Sequence, residues 1–87
     1  MDTEQLLREC IVAVCDVPPE RVRADTELDS LGVDSLASAE VIFELEIRTG
    51  RELPSHVLRK VAGLRTVGAV AAELDSVLGS PAGPGST

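Results

Sequence analysis

At 87 residues the chain is one domain at most, and a domain of this size buries only about 60% of its unfolded surface, which leaves little material for a preformed catalytic cleft. Its formal charge of −7, from 15 acidic and 8 basic residues, and its single aromatic side chain, Phe43, argue against a nucleic-acid partner, which calls for clustered cations and stacking rings. The same balance argues against an anionic membrane surface and suits a module steered toward basic partner surfaces.

Asp2 or Thr3 caps a first helix, with Gln5 three residues beyond Asp2 as in a loose capping box. Leu7, Cys10, Ile11 and Val14 follow at helical spacing, and Pro18-Pro19 stops the helix near Cys15 or Asp16. Cys10 and Cys15 are the only cysteines. On a helix they point about 140° apart, which predicts two free thiols in or near the core and no disulfide. With His56 as the only histidine, they make no zinc pattern.

From Glu20 to Asp34 no helical period is sustained, and the segment reads as a long ordered loop pinned by Val22, Leu28, Leu31 and Val33. A second helix is expected over Ser35–Thr49, with Asp34 as N-cap and Gly50 just past its end. Pro54 opens a short helix, Ser55–Val61, with His56 on its surface. Thr66 caps a last helix whose apolar stripe is Val67, Val70, Ala71, Leu74, Val77 and Leu78. Small residues expected to face inward are Ala39, Ala62, Ala69 and Ala71.

The expected fold is all-α, a small bundle of three main helices plus one short helix, with the long loop between the first and second. The helical domain spans residues 1–78, and the Gly-, Ser- and Pro-rich stretch 79–87 is expected to be a disordered tail. No apolar run approaches the ~18 residues of a membrane span, and Met1-Asp2-Thr3-Glu4 has no signal-peptide character, so a cytoplasmic monomer is expected.

The second helix carries two apolar faces. With Leu36 at 0° and about 100° per residue, Glu40, Phe43 and Ile47 fall within about 40° of it, and Glu44 flanks the row. Val41, Ile42, Leu45 and Ala39 are assigned to the opposite side, with Ser38 and Thr49. One face meets the other helices. The other is either buried in a sandwich or an apolar docking stripe rimmed by acids.

Just upstream lies Asp25-Thr26-Glu27-Leu28-Asp29-Ser30-Leu31-Gly32-Val33-Asp34-Ser35-Leu36. Ser35 falls in the first turn of a helix, after a capping Asp, where amide N–H groups lack helical acceptors and the macrodipole is positive. A phosphate ester there meets a favourable field of roughly 0.3–1 kcal/mol. Gly32 lets an incoming enzyme approach without a side chain in its way, and Leu36 packs beside the attachment point.

The run Leu31-Gly32-Val33-Asp34-Ser35-Leu36, following Asp25-Thr26-Glu27-Leu28, resembles the signature of acyl carrier proteins, and the order of elements from about residue 3 to 78 is similar to theirs. The resemblance implies that Ser35 receives 4′-phosphopantetheine from coenzyme A through a phosphopantetheinyl transferase, with Asp34 and Leu36 flanking the attachment. It implies a non-catalytic carrier that passes acyl thioesters among an acyltransferase or other loading enzyme, a ketosynthase and tailoring enzymes. It places partner contacts on the second helix, where Asp34, Leu36, Glu40, Phe43 and Glu46 match typical recognition positions; joined with the outward stripe, the expected partner face is Leu36, Glu40, Phe43, Glu44, Glu46 and Ile47. Glu46 is equally well read as a solvated helix residue. Ala37 and Ser38 after the motif, Ile47 where an acid is common, and the cations Arg48, Arg51, Arg59, Lys60 and Arg65 look more like a stand-alone carrier of bacterial polyketide or related secondary metabolism than a fatty-acid-synthesis carrier. Val33, where peptidyl carriers more often have Gly, favours an acyl cargo over an aminoacyl one.

Two other classes compete. A hydrolase using Ser35 needs a base within reach and an elbow of the Gly-x-Ser-x-Gly kind; His56 is the one candidate base and belongs to another element. An unmodified acidic helical adaptor fits the two-faced helix but leaves Gly32-Val33-Asp34-Ser35-Leu36 at a helix start unexplained.

Overall fold

The computed structural model describes residues 2–78, so the expected disordered tail lies outside the described residues. Helix α1 spans Thr3–Cys15, α2 Ser35–Thr49, α3 Ser55–Ala62 and α4 Val67–Leu78. This is the all-α bundle of three main helices and one short one. Helix α1 packs against both α2 and α4, and α3 packs on α4.

Local chemistry sets the helix ends. Asp2 accepts the Glu4 N–H on its carboxylate and so caps α1. The loose capping box does not form, because the Gln5 side chain instead donates to Glu9 one turn on, at 3.2 Å. Thr3 is buried, and its hydroxyl donates to Asp75 at 2.9 Å, a link between the two ends of the chain that no local pattern announces. Asp16 ends α1 in the left-handed region, and the paired prolines prevent continuation. Thr66 caps α4 by accepting the Ala69 N–H.

The core gathers Leu6, Leu7, Cys10 and Ile11 from α1, Val41, Ile42 and Leu45 from α2, Val57 and Val61 from α3, and Val67, Val70, Ala71 and Leu74 from α4. Cys10 is buried and Cys15 half-buried, both as free thiols. Two of the four alanines expected inside, Ala39 and Ala62, are exposed. At about 100° per residue Ala39 lies only about 60° from Leu36, which puts it on the outward side of α2 and not on the expected inner face. Among the described residues no helix is long and apolar enough to cross a membrane.

The long loop is ordered by two short 3₁₀ turns, Pro19–Arg21 and Leu28–Leu31, with Val22, Leu31 and Val33 buried beneath it and Leu28 half-buried. Thr26 holds its middle: the hydroxyl accepts the Arg23 N–H and donates to the Arg21 carbonyl. Main-chain bonds then stitch the loop to the start of α4. The Leu28 N–H donates to Arg65 at 2.8 Å, the Val67 N–H to Thr26 at 3.0 Å and the Gly68 N–H to Ala24 at 2.7 Å. A side chain at Gly68 would meet the Ala24 carbonyl oxygen at 2.8 Å, so this approach requires glycine.

Candidate functional site

The first helical residue of α2 is Ser35, and it is exposed. Its presentation follows from the residues before it. The Leu28–Leu31 turn ends at Gly32, whose φ of 79° reverses the chain while its N–H donates back to Asp29 and Leu28. Val33 then turns into the core at 9% exposure and anchors the approach. Asp34 follows in extended conformation, its carboxylate accepting the Ala37 N–H at 2.8 Å and its carbonyl the Ser38 N–H at 2.8 Å. The N–H groups of Ser35 and Leu36 face the turn before the helix and have no intrahelical acceptor. A hydroxyl held here on a buried hydrophobic anchor is accessible, and an ester oxyanion formed on it lies in the positive field of the helix start.

Beside Ser35 opens a groove of ≈ 600 Å³ between the loop, the start of α2 and the end of α3; Glu27, Asp29, Asp34, Ala62 and Arg65 are among its walls. Behind it lies a pinhole of ≈ 20 Å³ in the core, among Leu7, Ile11, Val41, Ile42 and Val70. These features fit phosphopantetheine: a solvent-facing hydroxyl, unpaired amides for the phosphate and open space for an extended arm.

Along α2 the structure leaves Leu36, Phe43 and Ile47 71%, 64% and 60% exposed. The sandwich alternative is thereby overturned, because α1 and the core take only the opposite face. Glu40 is exposed beside the row. The other two acids are engaged within the molecule. Glu44 pairs with Arg48 at 2.9 Å, and Arg48 also reaches Glu9 at 3.5 Å. Glu46 accepts the Leu53 N–H at 2.8 Å, which ties the end of α2 to the segment before α3. No sequence pattern announces this bond, since the donor is a main-chain amide seven residues away. His56 stands exposed on α3.

Burial pushes both thiols above the ordinary cysteine range, and at Cys15 the carboxylates of Asp34 and Glu40 add to the effect. Cys15 therefore lies within the electrostatic reach of the start of α2 yet is kept protonated.

A family model described as "Phosphopantetheine attachment site" matches residues 5–74, which takes in all of α2 and the loop that presents Ser35. The chain is also 29% identical over 68 residues to an acyl carrier protein of Campylobacter hominis, covering 77% of this chain and 86% of that protein.

Proposed function

The chain belongs to the acyl carrier protein family, with 4′-phosphopantetheine as its prosthetic group, and we propose that Ser35 is the attachment residue and that the loaded arm shuttles acyl thioesters between biosynthetic enzymes. The observation that carries this reading is an exposed serine hydroxyl at the first position of α2, behind a capping Asp34. The thiol at the end of the arm holds the acyl group as an activated thioester. The protein's own part is positional. Asp34 caps the helix and fixes the serine, Val33 anchors the approach, and Leu36 stands exposed next to the attachment point.

Carriers of this family are non-catalytic. The partners we assign are a phosphopantetheinyl transferase, an acyltransferase or other loading enzyme, a ketosynthase and tailoring enzymes, met by a cytoplasmic monomer on the face of Leu36, Glu40, Phe43 and Ile47. The weakly acidic second helix and the cations Arg48, Arg51, Arg59, Lys60 and Arg65 support a polyketide-type or related secondary pathway, and Val33 supports an acyl cargo.

Intact mass tests the assignment. Incubation with coenzyme A and a promiscuous phosphopantetheinyl transferase is expected to add one phosphopantetheine, and Ser35→Ala to add none. Modification of the Ser35→Ala protein, or none of the parent, would refute it.

A further inference from the structure

Where the arm is attached, the walls of the groove carry the wrong sign for it. Glu27, Asp29 and Asp34 line the space beside Ser35, and all three are exposed carboxylates. The amide bond that Asp34 accepts does not neutralise it. The phosphodiester joining the arm to Ser35 is a further anion. Its phosphorus is bonded to the serine oxygen, so it stays at the mouth of the groove wherever the rest of the arm swings. Like charges gathered this closely disfavour the modified form unless a cation offsets them.

Arg65 is placed to be that cation. It is exposed, and among the described residues it is the only Lys or Arg on the groove wall. Main-chain bonds bring it there. The Arg65 carbonyl accepts the Leu28 N–H at 2.8 Å, and the Leu28 carbonyl accepts the Val33 N–H at 3.0 Å, two residues before Ser35. Most other cations are engaged. Arg48 pairs with Glu44 and Lys60 with Glu73, while Arg21, Arg23 and Arg51 donate to main-chain carbonyls. The Arg65 side chain makes no ion pair with any described residue, the three acids of its own groove included.

Resting on the reading of Ser35 as the attachment site, we propose that Arg65 is the counter-ion of the arm: its guanidinium holds the phosphodiester on Ser35 against the carboxylates of Glu27, Asp29 and Asp34. The planar fork of an arginine matches two oxygens of a phosphate, and such charge-assisted pairs are roughly twice as strong as neutral hydrogen bonds. The pairing begins only with modification. Arg65 is idle in the unmodified protein and fixes the first group of the arm in the modified one. The acyl thioester, at the far end of a long flexible arm, is not what it holds.

The test is a thermodynamic cycle on the full chain, before and after modification verified by mass. The folding equilibrium constant of each form is read from urea unfolding at about 0.1 M NaCl. The ratio of modified to unmodified cancels what a substitution does to the scaffold itself. Arg65→Gln is expected to lower that ratio about threefold, the scale of one partly screened ion pair. Gln keeps the main-chain carbonyl that Leu28 uses. Arg65→Lys is expected to retain part of the ratio, since it keeps the charge but not the fork. Added to Arg65→Gln, Asp29→Asn is expected to raise the ratio again by removing one repelling charge. Arg59→Gln, exposed on α3 and outside the groove wall, is expected to change it less than about 1.5-fold. In phosphorus NMR, the phosphodiester resonance of folded Arg65→Gln protein is expected to lie nearer its urea-unfolded position than that of the parent.

A ratio and a phosphorus resonance both unmoved by Arg65→Gln would overturn the proposal while leaving Ser35 as the attachment residue, and would assign the phosphate to the amides of α2 alone. So would an equal effect of Arg59→Gln, which points to the diffuse field of the molecule. So would an effect seen only when the arm carries a succinyl group, which assigns Arg65 to a carboxylate of the cargo. Absence of the mass gain removes the attachment reading and this one together.

Discussion

Asp34 serves a structural and a presentational end at once. Its carboxylate closes the first turn of α2, and its extended backbone throws Ser35 outward. Replacing it with Ala is expected to lower stability by about 0.5–2 kcal/mol in urea unfolding, with Asn retaining most of it, because either Asx side chain accepts the Ala37 amide. The rate of phosphopantetheinylation should follow the same order. Cysteine chemistry gives a second residue-scale expectation. Burial holds both thiols above their usual range, so they remain protonated near pH 7. Their thiolate population, and with it alkylation, rises only as pH climbs through and beyond the ordinary thiol value. Iodoacetamide at neutral pH is therefore expected to label the arm thiol of modified protein well before Cys15, and Cys10 only on unfolding, as read by peptide mass. Equal labelling of Cys15 and the arm would contradict the burial that governs it. Both positions were legible in the sequence because capping and helical spacing are local signals. The Glu46–Leu53 bond was not, since its acceptor looked like any exposed helix acid.

At the level of elements, the helix limits were readable wherever a side chain or a backbone reversal sets them. Asp34 and Gly50 bound α2 at the residues their chemistry indicates, Thr66 starts α4 and the prolines close α1. What could not be read is the stitching of the loop to Arg65–Gly68, since main-chain hydrogen bonds between distant segments leave no mark in composition. Only Gly68 hints at it, and a glycine near a helix start has many readings. Gly68→Ala is accordingly expected to cost about 1–3 kcal/mol, as overpacking does, by forcing the α4 start away from Ala24. The check is the urea midpoint together with faster amide exchange at Leu28 and Val67. Ala introduced at Gly63, where the nearest atom is an ordinary 3.6 Å away, is the control.

Across the whole molecule, α2 divides its apolar residues between two uses, and stability measurements should separate them. Leu45 is fully buried against α1, and Leu45→Ala is expected to lose about 2–5 kcal/mol, a large part of what a domain this small possesses. Phe43 is largely exposed, and Phe43→Ala is expected to move the unfolding midpoint by no more than about 0.5 kcal/mol. Parallel urea titrations decide it; comparable losses would place Phe43 in the core. The periodicity of α2 predicted two faces but could not say whether both were covered, because that depends on how many helices surround it. With α3 packed on α4 and α1 the main neighbour of α2, one face of α2 is left over.

The stitching of the 20–34 segment has an evolutionary corollary. Because it is held by peptide groups, by the side chains of Arg21, Arg23, Thr26 and Ser30 and by three buried aliphatics, the outward carboxylates of Glu20, Asp25, Glu27 and Asp29 take no part in holding it. They form a palette that can be repainted in charge and size from one descendant to the next, giving a lineage a way to change clients without touching the scaffold that displays the serine.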